Sequence, residues 1–240
     1  MLKKIIISRG RSKTITTHKL LSDFIVLCPE SEKELYEQIV TNVETIPDKI
    51  VGLAGVRNWT IQNYKEDVLF IDDDITGFFS VCGTKAMRIK DPQAVDQILN
   101  NLYINAKDVG ARVFGLNQTA DPRKYTPNQP FKLKGWLGSV IGVIGKDLKF
   151  DERNKIRVDV DFCLQSLMHD RLIWVDNRFA FFSKKNLNTG GNSKMRSERN
   201  LEKEKTYLKN KWGKYINFYD GKETDNVKII VSREDNLTIG

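Results

Sequence analysis

Through the first half of the chain, apolar residues come in short runs. KKIIIS (3–8), FIVLC (24–28) and DVLFID (67–72) each set at least three apolar side chains in succession. Runs of that length, closed by polar residues, predict strands buried on both faces. Between them, ESEKELYEQIVTN (30–42) follows Pro29, gathers acids in its first turn and repeats Leu35, Ile39 and Val40 at helical spacing. That pattern predicts a helix. DKIVGLAGVRNWTIQNY (48–64) predicts a second, weakened by Gly52 and Gly55. SVCGTKAMRI (80–89) reads as extended. Asp91 and Pro92 open a further helix with Val95, Ile98, Leu99, Leu102 and Ala106 on one face, and ARVFGLN (111–117) reads as a strand.

The second half is less regular. Residues 118–135 are polar, carry Pro122, Pro127 and Pro130, and predict a long loop. WLGSVIGVIG (136–145) predicts a strand, VDFCLQSLMHD (160–170) a helix, and LIWV and RFAFFSKK two strands. NLNTGGNSK (186–194) reads as a flexible loop. SERNLEKEKTYLKNKWG (197–213) predicts a helix with Leu201, Leu208 and Trp212 on its inner side and Gly213 as its C-cap. VKIIVS (227–232) ends the pattern as a strand. Alternating strands and helices argue for an α/β architecture with a mainly parallel sheet flanked by helices and a mixed C-terminal half. No segment reads as a linker, so residues 1–240 are expected to form one domain.

Composition adds little to class but something to partners. The chain is 40% hydrophobic and 29% charged, an ordinary balance for a globular protein. Its first apolar run, Ile5–Ile7, is short for a leader, and no segment has membrane-spanning length. Cys28, Cys82 and Cys163 are widely spaced and suggest reduced core thiols in a cytoplasmic protein. The net charge of +8 is gathered in two places. Residues 1–19 hold six Lys/Arg and no acid; residues 184–214 hold ten against three acids. Such segments suit a polyanionic partner, nucleic acid or a diphosphate, or else form solvated faces. Lys203, Lys209, Lys211 and Lys214 are candidate phosphate contacts as a patch, with Tyr207 and Trp212 on the inner side of the helix.

One stretch demands chemistry. VLFIDDD (68–74) runs four apolar residues into three aspartates. Carboxylates crowded beside a core are costly unless neutralised. Side chains i and i+2 of a strand share a face, so Asp72 and Asp74 would converge on one point with Asp73 turned away. A hard dication, Mg²⁺ or Mn²⁺, would remove the repulsion there. The ends of such strands are where open α/β sheets bind ligands. The alternative is a solvated acidic turn.

The order KKIIIS, a basic loop, FIVLC, VGLAGVRNW and VLFIDDD resembles the nucleotide-sugar glycosyltransferases of the GT-A fold, a Rossmann-related class. Downstream, RVDVDFCLQSL (157–167) and NTGGNSKMRSERN followed by YLKNKWG are similar to the glycosyltransferases associated with modified DNA bases in phage and with TET/JBP-type base modification, which implies a phage-encoded protein. The resemblance spans roughly residues 3 to 215. It implies a UDP-sugar donor, with residues 1–117 as the donor-binding half and 118–240 as the acceptor-binding half. It places Asp72 and Asp74 on Mn²⁺ or Mg²⁺, and Ser8, Arg9, Arg11, Arg57, Asn58 and Asp73 near the nucleotide. Gly190, Gly191, Lys194 and Arg196 would form a loop closing over the diphosphate. Trp136 and Gly138 would line the sugar or acceptor pocket. Asp159 falls on the aspartate of the family's Glu-Asp pair, with Val158 where the Glu would be, and is the implied base of an inverting transfer.

Asp161 is a second candidate base or, equally, a helix N-cap. The chain's two histidines, His18 and His169, read as surface residues. The acceptor implied is double-stranded DNA carrying a hydroxymethylated pyrimidine, 5-hydroxymethylcytosine first, in the cytoplasm of a host cell. No membrane and no obligate protein partner are implied. A GT-A enzyme acting on a glycan, lipid or protein, and a non-enzymatic basic nucleic-acid-binding domain, are the competing readings.

Overall fold

The computed structural model describes residues 1–183, 197–219 and 227–231. Four parallel strands form one side of a ten-stranded mixed sheet: β1 (Leu2–Ile7), β2 (Ile25–Pro29), β3 (Val43–Ile46) and β4 (Asp67–Asp72), in the order β3-β2-β1-β4. Beyond β4 the order continues β9 (Val140–Val143), β7 (Val113–Asn117), β10 (Trp174–Ser183), β5 (Ile75–Ser80) and β6 (Met87–Ile89), with the short β8 (Phe131–Lys132) pairing β10. β9 is antiparallel to both β4 and β7, and the β10-β5-β6 end is antiparallel throughout. The mainly parallel expectation therefore describes the first half, and the mixed expectation the second.

Helices cover both faces, and the pleat sorts the core between them. Ile5, Val68, Phe70, Val113 and Ile141 enter one layer with α2 (Leu53–Asn63), α4 (Val158–Asp170) and α5 (Glu198–Trp212). Ile6, Leu69, Ile71 and Phe114 enter the other with α1 (Lys33–Glu37) and α3 (Pro92–Asp108). A separate antiparallel pair, β11 (Ile216–Phe218) and β12 (Val227–Ile229), follows α5.

Several expectations are corrected. The helix expected over 30–42 shrinks to a 3-10 turn at Glu30–Glu32 and the five residues of α1. Leu35 and Ile39 are exposed, while Tyr36 and Val40 are buried. With so narrow an apolar stripe, the chain gains more by turning to add edge strand β3. Of the stretch 80–89 expected to be extended, only Ser80, the end of β5, and Met87–Ile89, which form β6, are strand; a bend joins them, and β5 begins earlier than the pattern suggests. Its Gly77 hides it: a Cβ there would lie 2.6 Å from Cε2 of Phe79, whose ring needs the space. The two strands expected over LIWV and RFAFFSKK are one, β10, whose register shifts between Asp176 and Ala180 as it leaves β7 for β5. Cys28 and Cys163 are core thiols, but Cys82 is exposed.

Candidate active site

β1 and β4 run in parallel register with Ile7 opposite Asp72. Both strands end there, so the basic loop after β1 meets the acidic turn after β4. Asp72 continues the face of Val68 and Phe70, towards α2 and α4; Asp73 turns to the α1 face. There Asp73, 5% exposed, accepts hydrogen bonds from Ser8 Oγ (2.6 Å) and Arg11 Nη1 (2.8 Å). Ser8 Oγ also lies 2.7 Å from the Tyr36 hydroxyl, which accepts from the Arg11 amide at 3.2 Å. Thr17 Oγ1 donates to the Asp72 carbonyl (2.6 Å) and accepts from the Ile75 amide (2.9 Å), closing the turn. Asp74 stands in that turn rather than in the strand, with Arg11 Nη1 3.8 Å from its carboxylate. Arg9 donates to the carbonyls of Ile50 (3.0 Å) and Asp48 (3.5 Å), tying the basic loop to the approach of α2.

Asp72 is half-buried, and its amide donates to the Ser139 carbonyl of the segment entering β9 (2.9 Å). Burial pushes its carboxyl up to about 6; Arg57 and a Ser139 hydrogen bond oppose the rise, and Asp74 and Asp73 add to it. Arg57, on α2, is 2% exposed, its guanidinium 5.5 Å from the Phe70 ring centroid and 5.1 Å from that of Phe150. Its Nε and Nη1 have no hydrogen-bond partner among the described residues. Burial draws its pKa down, while Asp72 and then Asp159 hold it charged. Asn58 clamps the loop beneath: its Nδ2 donates to the Phe150 carbonyl (2.9 Å) and Glu152 (3.0 Å), and its Oδ1 accepts from the Phe150 amide (2.8 Å).

α4 brings the two acceptor-side aspartates, and they differ sharply. Asp159 is half-buried at the second helical position, and its Oδ1 accepts from the Val160 amide at 3.0 Å. A Cβ on Gly138 would lie 3.6 Å from the other oxygen of Asp159, 3.4 Å from the Trp136 ring and 2.8 Å from Gln118 Oε1. Trp136, Gly138 and Asp159 therefore meet, together with Gln118, which no sequence signal singled out in its polar loop. Asp161 is fully buried and saturated: Lys211 Nζ (2.7 and 3.0 Å), Trp212 Nε1 (2.7 Å) and Gln165 Nε2 (2.9 Å) all donate to it. Arg157 holds the N-cap position, so Asp161 serves instead to bind α4 to α5.

Lys211, itself on the exposed side of α5, turns its ammonium inward to Asp161 and also donates to Asp151 (2.8 Å), whereas Lys203, Lys209 and Lys214 are exposed. Asp151 is held well below the usual carboxylate range, by Arg153 first and also by Lys211 and Tyr207. His169 is exposed at the far end of α4 beside Arg112 and Asp170, and His18 stands in the turn Thr17–Leu20. Gly190, Gly191, Lys194 and Arg196 lie outside the described residues. A hollow of about 360 Å³ opens at the opposite, amino ends of β1–β3, where buried Lys4 pairs with Asp23 (3.0 Å) and Asp96 (3.3 Å); it is remote from the acidic turn.

Among the described residues, no three His, Cys, Asp or Glu side chains gather as a metal cage. Asp72 and Asp74 offer two hard carboxylates, a set that suits Mg²⁺ or Mn²⁺ completed by water and phosphate oxygens. The sheet order, the acidic turn beyond the carboxyl end of β4 and the buried arginine beside it define a GT-A-like, Rossmann-related class of α/β protein. The family model described as TET-Associated Glycosyltransferase matches residues 3–192, and the chain belongs to that family. It is a glycosyltransferase, which sets aside the reading of a purely nucleic-acid-binding domain. No curated protein matches the chain. No helix among the described residues is long and apolar enough to cross a membrane.

Proposed function

We propose that the protein moves a sugar from a UDP-sugar to a hydroxymethylated pyrimidine, 5-hydroxymethylcytosine first, in double-stranded DNA. The observation that carries this reading is Arg57, a buried guanidinium with two unpartnered nitrogens that is coupled electrostatically to both Asp72 and Asp159. Its charge faces Asp72 on the proposed donor side and Asp159 on the proposed acceptor side. On the donor side, Asp72 and Asp74 are the residues that would hold Mn²⁺ or Mg²⁺, which when bound would supply positive charge for the leaving diphosphate. Ser8, Arg11 and Asp73 keep that turn in shape, and Arg9 and Asn58 fix the walls behind it. On the acceptor side, Asp159 takes the proton of the attacking hydroxymethyl group, the role that inversion at the sugar requires of a base. Trp136 and Gly138 bound the pocket, and the exposed lysines of α5 supply a phosphate-facing surface.

The test is transfer of radiolabelled sugar from UDP-sugars to duplexes with and without 5-hydroxymethylcytosine. Label should enter only the hydroxymethylated duplex and be lost in Asp74→Asn, whose melting is unchanged. Equal labelling of both duplexes, or of glycan, lipid or protein instead, would remove the acceptor assignment.

A further inference from the structure

Residues 75–90, the strand leaving the acidic turn and the hairpin after it, contain Lys85, Arg88 and Lys90 and no acid. All three cations are exposed. On this end of the sheet, Phe78 and Phe181 point into the layer under α3. The pleat therefore turns Gly77, Phe79, Ala180 and Phe182 to the other face, where Phe182 opposes Gly77 and Phe79 opposes both Ala180 and Arg88. The Phe79 ring lies down over Gly77 and meets Phe182 edge-on, centroids 6.3 Å apart at 81°. Phe182 stays 45% exposed. Arg88 Nη2 donates to the Thr76 carbonyl (2.7 Å), laying a cation along the same face.

An exposed Phe182 packed on a half-buried Phe79, beside three exposed cations of residues 75–90 with no acid among those residues, matches a polyanion that also carries flat apolar faces. We infer that this face is a stacking platform for unpaired bases of a nucleic-acid strand, with Lys85, Arg88 and Lys90 on its phosphates. The inference rests on the DNA-acceptor reading and extends it. Gly77 is three residues from Asp74, about 10 Å at about 3.3 Å per residue. The platform therefore lies within a few nucleotides' length of the proposed donor site, where it would take bases flanking the reacting one.

The experiment measures anisotropy of fluorescein-labelled oligonucleotides carrying 5-hydroxymethylcytosine, single-stranded and duplex, alongside sugar transfer to the same DNA. The Phe79→Ala/Phe182→Ala double variant should bind single strands about 5- to 150-fold more weakly, the range set by losing one stacked base. Phe182→Leu, which keeps apolar cover without a ring, should lose affinity in the same direction, and Phe182→Trp should retain it. Arg88→Ala should lower the slope of log affinity against log salt by about 1. If the wild type glycosylates DNA while Phe182→Leu and the double variant bind like it, the platform is overturned and the proposed function stands. If the wild type neither binds nor glycosylates DNA, both fall together. A wild type that dimerises by light scattering, with Phe182→Leu monomeric, would assign the face to a second copy and overturn the inference.

Discussion

Asp159 and Asp161 sit two residues apart on α4, and the structure gives them opposite tasks that one pair of variants separates. Asp161→Asn keeps the side chain's volume and removes its charge. The carboxylate is fully buried and accepts from Lys211, Trp212 and Gln165. Breaking a buried charge pair costs about 3–5 kcal/mol. Lys211 keeps Asp151 as a partner at 2.8 Å and is 25% exposed, so solvent screens part of that loss. The expected cost is about 2–3 kcal/mol, a charge-assisted hydrogen bond's worth. For a chain of this size, that lowers the melting temperature by about 4–12 °C. Below the melt, transfer should stay within about twofold, because no reacting atom is touched. Asp159→Asn removes the second of the two carboxylates facing buried Arg57 but leaves the stronger one, Asp72, so it should cost about 1 kcal/mol, or about 2–4 °C, a smaller loss than that of Asp161→Asn. It should lose transfer by about 10²–10⁴, the usual size of a general-base contribution. The assay is urea and thermal unfolding of both variants, with sugar transfer at 20 °C or so. A stable Asp161→Asn without activity, beside an active Asp159→Asn, would refute this division of roles.

Three further outcomes follow from the same geometry. Asp73→Asn should destabilise the protein by about 2–4 kcal/mol without any ligand present, since it removes the charge that Arg11 pairs with and sets an amide donor where one of the oxygens accepting from Ser8 and Arg11 stood; a fully stable variant that fails to bind donor would make Asp73 a ligand instead. Asp72, its folded pKa raised to about 6 from 3.8, costs the free protein stability as pH rises between those values, and a bound dication offsets that cost. Stabilisation by Mn²⁺ with UDP should therefore be larger at pH 7.5 than at pH 5, where the proton competes, and equal gains in melting temperature would contradict the assignment. Gly138→Ala places a methyl 2.8 Å from Gln118 Oε1, an exposed side chain that can swing away, and 3.6 Å from Asp159. It should melt normally and raise the acceptor KM several-fold, while a large loss of stability would show the space to be core.

The parallel half of the fold was legible because its strands are buried on both faces and so read as unbroken apolar runs. β3 and β5 were not: β3 is a four-residue edge, and β5 carries a glycine where a ring lies across it. The acidic turn announced itself by charge next to core, yet the strand period misplaced Asp74, which the turn presents. Arg57 could be pointed to only by resemblance, because nothing in VGLAGVRNW distinguishes a buried guanidinium between two rings from a surface one. Asp161 looked like Asp159 because the partners that separate them, Lys211 and Trp212, come some 50 residues later in the chain. Gln118 was invisible inside a polar loop.

The proposal that Asp72 and Asp74 would hold a dication for the donor diphosphate is tested most directly by thermal unfolding with UDP, Mn²⁺, both, and both plus chelator. Together, at about 100 times the dissociation constant, the ligands should add about 2.7 kcal/mol, or about 5–11 °C. Either alone should give much less, and Asp74→Asn should abolish the joint gain. A shift with UDP that is indifferent to chelator and to Asp74→Asn would contradict the account.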